Sequence, residues 1–161
     1  MQSWDTASKV SEVSDYSVCT TWGIKGKQMY LLHVLRKRLD YPDLKRLVMS
    51  HMNEWGATNV LIEDKASGIQ LVQELSKQNW RIKGVKCEGD KVMRLIAQTA
   101  AIENGNVLFP KEAPWLKEYI NELMAFPYAK NDDQVDSASQ ALKSVADYSA
   151  PATSIRLIRA R

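Results

Sequence analysis

Residues 18–35 read Val18-Cys19-Thr20-Thr21-Trp22-Gly23-Ile24-Lys25-Gly26-Lys27-Gln28-Met29-Tyr30-Leu31-Leu32-His33-Val34-Leu35. Two runs rich in β-branched, aromatic and aliphatic side chains, 18–24 and 28–35, flank a Lys-Gly-Lys turn, which predicts a β-hairpin. Upstream, residues 2–6 form a short candidate strand carrying Asp5 near its end, joined to the hairpin by the polar segment 8–14. Three adjacent antiparallel strands are the simplest arrangement. From Pro42 the period changes: Leu44, Leu47, Val48, His51 and Trp55 recur at helical spacing before Gly56, so a helix over 42–55 follows.

Beyond it, the apolar run Val60-Leu61-Ile62 and the helical pattern of Ile69, Val72 and Leu75 read as strand then helix, the signature of a parallel pair. Residues 81–85 give a fifth strand. Residues 91–103 give a helix with Val92, Leu95, Ile96 and Thr99 on one face, and 107–109 an edge strand. A further helix aligns Leu116, Tyr119, Ile120 and Leu123 and ends at Phe126-Pro127. The last helix starts at Asn131-Asp132-Asp133-Gln134-Val135-Asp136 and buries Val135, Ala138, Leu142 and Val145; Ala138, Ala141 and Ala146 let it approach a sheet closely. Residues 149–161 cannot build a core and read as a tail or linker. The order predicts an α/β fold: a mixed sheet with an antiparallel hairpin start, then parallel strands, flanked by helices, as in the RNase H-like architecture.

With 161 residues, 45% of them hydrophobic, the chain fits one domain with a real core. A net charge of +3 permits DNA as a partner without demanding it. Cys19 and Cys87 are too few for a disulfide framework or zinc knuckle and read as reduced. No apolar run reaches membrane-spanning length, and no signal core is visible.

Three acidic clusters stand where core elements end: Asp5, the pair Glu63-Asp64, and the trio Asp132, Asp133 and Asp136. Each alone has a bland explanation in turn formation or helix capping. Strand alternation sends Glu63 and Asp64 to opposite faces, so at most one of them serves a given site. Asp132 and Asp133 lie four and three residues from Asp136, and such like charges repel unless a metal or basic group compensates. Converging carboxylates suit magnesium or manganese, and two such ions imply phosphodiester hydrolysis. Lys25 and Lys27 at the hairpin tip, Arg36-Lys37-Arg38, and Lys91 with Arg94 are candidate phosphate contacts, set against the ordinary solvated face. His33 and His51 read as structural.

Trp4-Asp5-Thr6-Ala7, Ser14-Asp15-Tyr16-Ser17, Ile62-Glu63-Asp64-Lys65-Ala66-Ser67-Gly68, Gly89-Asp90-Lys91 through Arg94, Glu103-Asn104-Gly105 and Asp132-Asp133-Gln134-Val135-Asp136 together resemble the C-terminal nuclease domain of tailed-phage terminase large subunits. The resemblance covers about residues 1–148. It implies an RNase H-like endonuclease cutting concatemeric double-stranded DNA during genome packaging in the cytoplasm of the bacterial host. By position, the catalytic and metal-binding acids would be Asp5, Asp64 with Glu63 as rival, and Asp133 and Asp136 with Asp132 as rival, holding two Mg2+ or Mn2+ ions. Implied partners are a packaging ATPase domain, the small terminase subunit and the portal protein. The chain lacks G-x-x-x-x-G-K-[ST], so ATP hydrolysis is not expected of it. Starting at Met1 almost on the first strand, it looks like an excised domain or a truncated or split prophage gene. The alternatives are another RNase H-like nuclease of resolvase or integrase type, and a non-catalytic remnant that binds DNA or packaging proteins. An aspartyl-nucleophile phosphatase wants a second acid where Ala7 stands.

Overall fold

The computed structural model describes residues 1–7 and 16–149. The connector 8–14, the Ser14-Asp15 pair and the tail beyond residue 149 lie outside the described residues. Six strands, β1 (Gln2–Asp5), β2 (Ser17–Lys25), β3 (Gln28–Lys37), β4 (Val60–Glu63), β5 (Ile82–Val85) and β6 (Val107–Leu108), form one sheet in the order β5-β4-β1-β2-β3-β6. β1, β2 and β3 pair antiparallel, whereas β4 on β1, β5 on β4 and β6 on β3 are parallel. The mixed sheet is the one expected from the sequence.

Side chains alternate across the sheet, and the helices divide accordingly. Trp4, Cys19 and Ile62 face α1 (Tyr41–Glu54) and α2 (Ser67–Leu75), packing with Leu44, Val48, Leu71 and Leu75. Val18, Trp22 and Leu31 face the other way, onto Tyr119 of α5 (Leu116–Ala125) and Ala138 and Ala141 of α6 (Asp133–Ser149). The contact between α6 and the sheet is also polar. Ser3 Oγ donates to the Ser137 carbonyl at 2.7 Å, Ser137 Oγ donates to the Ser3 carbonyl at 2.8 Å, and the Thr20 amide donates to Ser137 Oγ at 3.2 Å. All three residues are fully buried.

Three expectations need correction. The helix over 91–103 is two short ones, α3 (Lys91–Ile96) and α4 (Thr99–Glu103), and its supposed apolar face is largely solvated, with Ile96 53% exposed. In α2 the buried residues are Leu71 and Leu75, while Ile69 is exposed. Trp55 caps α1 rather than joining its core stripe and stacks on His33 at 5.3 Å. His51 is buried against Trp4 and His33, as a structural histidine should be. No helix among the described residues is long and apolar enough to cross a membrane.

Candidate active site

In the β1–β4 register Gln2, Ser3 and Trp4 lie beside Val60, Leu61 and Ile62. Continuing one residue sets Asp5 next to Glu63, both on the face that receives α6. The first turn of α6 then brings Asp133 and Asp136 across the ends of the two strands. These acids and Asp132 line a cavity of about 270 Å3. Tyr16, Arg38, Lys65, Lys91 and Lys130 also line it. Arg36 and Arg38 flank the Tyr16 ring, with guanidinium carbons 3.8 and 4.3 Å from its centroid, so the Arg38 cation is held at the cavity by stacking.

Alternation parts the rival acids in space. Asp64 is one residue past Glu63 and turns to the α2 face. A Cβ built on Gly84 would lie 3.7 Å from the Asp64 Cβ and 3.2 Å from Val72 of α2. Asp64 is absent from the cavity wall, which Glu63 occupies. Lys25 and Lys27, read as phosphate contacts, lie apart from the acids. Asp5 pairs with Val18 at the start of β2, and the hairpin tip follows its far end, roughly 24 Å away.

Burial and the neighbouring carboxylates of Glu63, Asp136 and Asp133 push the Asp5 carboxyl well above its ordinary range. Burial, Glu122 and Asp132 push Asp133 up to about 6. Lys91 and Arg94 partly offset this crowding. Lys91 Nζ lies 2.8 Å from Asp132 and 2.7 Å from Asp136, whose other oxygen is 2.7 Å from Arg94. Burial works to lower the Lys91 pKa, but its bonds to these two acids outweigh that and raise it. The two cations read as phosphate contacts therefore face the acids. Among the described residues no group of three or more His, Cys, Asp or Glu side chains is set to hold a metal ion, and both Asp136 oxygens are engaged by Lys91 and Arg94. The donor set itself is all carboxylate, hard and anionic, and suits magnesium or manganese once Asp136 turns from its cations.

Glu122 was not found from the sequence, where it stands beside the apolar stripe of α5. It is buried and accepts from the Gln134 amide at 2.8 Å and from the Gln134 side chain at 2.6 Å. It thus caps the start of α6 from a neighbouring helix, a tertiary contact with no local signal. Glu122→Ala leaves these donors unpaired and is expected to cost about 2 kcal/mol. A melting temperature lowered by roughly 6 °C in a thermal scan is the expected result; an unchanged one would remove Glu122 from this role.

The terminase RNase H-like domain model matches residues 2–144. No curated protein matches the chain. Among solved structures, the large terminase nuclease from thermophilic phage G20c, with bound magnesium, superposes with TM-score 0.69 at 19% identity, covering 88% of this chain and 79% of that one. The same nuclease was solved with zinc and with cobalt. The large terminase of a second thermophilic bacteriophage gives 0.64 at 16% identity, over 90% of this chain and 39% of that one. The Fowlpox virus resolvase, solved with Holliday junction DNA, gives 0.55 at 13% identity, over 92% and 98%. At these identities the structures share the fold, while the family match extends over nearly the whole chain: it belongs to the terminase RNase H-like domain family.

Proposed function

We propose that the chain is the metal-dependent DNA endonuclease domain of a phage terminase large subunit, hydrolysing phosphodiester bonds of concatemeric double-stranded DNA during packaging. The observation that carries this reading is the convergence of Asp5, Glu63, Asp133 and Asp136 from two strands and one helix into one cavity. Those four carboxylates would hold two Mg2+ or Mn2+ ions, with Glu63 in place of Asp64. Bound there, divalent ions activate water and stabilise the leaving oxygen of an in-line displacement. Asp132 retains Lys91, and Arg38, stacked on Tyr16, offers a fixed guanidinium to a phosphate oxygen. The G20c nuclease, solved with magnesium, zinc and cobalt, supports a divalent-metal role. A packaging ATPase domain, the small terminase subunit and the portal protein are the partners this reading assigns, and the host cytoplasm is its compartment.

Incubation with supercoiled plasmid at low salt, with manganese, magnesium or chelator, tests it: nicking and linearisation should require metal. Metal binding without cleavage would point to a domain that needs its ATPase partner, and no metal binding to a non-catalytic remnant. Glu63→Gln is expected to lower cleavage roughly a hundredfold or more, while Asp64→Asn stays within about threefold of the parent chain. The opposite ranking would return the role to Asp64.

Metal binding should also release protons. Asp133 has its pKa raised to about 6, so below that pH a cation must displace a proton from it, and the Asp5 carboxyl is raised in the same direction by burial and its neighbouring acids. Calorimetric titrations in buffers of different ionisation enthalpy should show more protons released at pH 6 than at pH 8, and tighter binding at the higher pH. Equal release at both would rule out the protonated carboxyls.

A further inference from the structure

Beside the acid cavity, on the same face of the sheet, lies a second concavity of about 380 Å3 between α6 and the strands β4 and β5. Its cations are Lys83, Lys86, Lys143 and Arg94, and its only acid is Asp147. The ion pairs among the described residues leave Lys83, Lys86 and Lys143 without acidic partners. All three are exposed.

Register fixes where this charge lies relative to the acids. Glu63 pairs with Val85 and Leu61 with Lys83, so Lys83 sits one same-face position below the acid row, roughly 7 Å away. Lys143 is two helical turns past Asp136 on the same face of α6, roughly 10 Å along the helix. Both lead away from the cavity towards the start of β1, because Ser137 meets Ser3 whereas Val145 lies near Met1. Arg94 joins the two hollows: it lines the groove, and its guanidinium bonds Asp136.

We infer that this groove is a phosphate track. It holds the backbone of a DNA strand one to two nucleotides from the bond positioned at the acids, with Lys83 and Lys143 as its contacts and Lys86, next after Val85, as a third that joins them to the acid row. Successive phosphates of one strand lie roughly 6–7 Å apart, so roughly 7–10 Å spans that interval. The inference rests on the nuclease reading and adds to it the direction in which the substrate leaves the site.

The test is binding of a labelled 30-base-pair duplex, followed by fluorescence anisotropy across a salt series, in chelator and in calcium. The parent chain is compared with the triple variant Lys83→Gln, Lys86→Gln, Lys143→Gln and with a control, Arg46→Gln, Lys77→Gln, two exposed cations in the helix layer on the opposite face of the sheet. The triple variant should bind roughly tenfold more weakly at low salt, and its log–log salt slope should be shallower by roughly 2.7, the share of three phosphate contacts. The control should match the parent, and manganese affinity should be the same in all three proteins. An unchanged slope in the triple variant overturns the track and leaves the nuclease reading standing. Equal losses in triple variant and control also overturn it, since net charge alone would then explain them. A parent chain that binds manganese but no DNA overturns the track, and one that binds neither sinks both readings together.

Discussion

Asp5→Asn should abolish metal-dependent cleavage, by roughly a thousandfold or more, and at the same time raise the melting temperature of the metal-free protein. The first effect follows from removing the carboxylate at the centre of the cluster, the one beside Glu63 and faced by Asp133 and Asp136. The second follows from linkage. An acid whose folded pKa lies above its ordinary 3.8 contributes stability that is complete below that value and is lost as pH rises through the folded pKa. The amide never ionises and loses nothing. The stabilisation should therefore be largest near pH 8, roughly 3 °C, and shrink towards pH 5. A variant that melts lower than the parent at pH 8 would show that the charge on Asp5 is not the burden described, and one that still cuts would remove Asp5 from the site.

Gly68→Ala should be the most damaging single methyl in the chain. In an open helix the change would help by about 1 kcal/mol. Here the added Cβ would stand 2.0 Å from the Glu63 carbonyl oxygen and 3.2 Å from its carbon. Both are backbone, so one of the two elements must move. The adjoining backbone has little slack: Ala66 already sits at a φ of 51°, and Ser67 Oγ is bonded to Thr6 Oγ1 at 2.9 Å and the Ala7 carbonyl at 2.8 Å. Overpacking of this kind costs about 3 kcal/mol, which exceeds the helix gain and lowers the melting temperature by roughly 6–9 °C. Because the displaced atoms belong to Glu63, manganese affinity should fall as well. A stable variant with normal affinity would mean that the α2–β4 contact is slack.

The strands and the long helices were legible because each is bounded by its own chemistry: the Lys25-Gly26-Lys27 turn, Pro42 and Gly56 around α1, and the aspartates that open α6. The gap between α3 and α4 was not, since Ala97-Gln98 contains no residue that breaks a helix. Ile69, Ile96 and Trp55 show the limit of periodicity, which names an apolar stripe but not whether anything lies opposite to cover it. Within the site, the convergence of the three clusters was visible and the choice within the second was not. Strand alternation announces that Glu63 and Asp64 part company, but only the register with β1 says which one joins Asp5. Lys25 and Lys27 stand apart from the acids for a related reason: antiparallel pairing carries a hairpin tip away from the end where β1 delivers its acid.

The serine-threonine seam between α6 and the sheet has a consequence for alignment. A helix seated on oil can roll a few degrees or creep along its groove at little cost, because hydrophobic contact has no preferred direction. Hydrogen bonds weaken steeply once their angle closes, and Ser137 is clamped in both senses by Ser3 and again by Thr20, whose amide and hydroxyl both meet Ser137 Oγ, the hydroxyl at 2.8 Å. Asp136 is its chain neighbour on one strand of that clamp, and Asp5 lies two residues beyond Ser3 on the other. The helix is indexed like a toothed wheel, and the gap between carboxylates on separate elements is gauged by three hydroxyls that lie outside the acid cavity. Exchanging them for alanine and valine could leave the protein folded yet out of true.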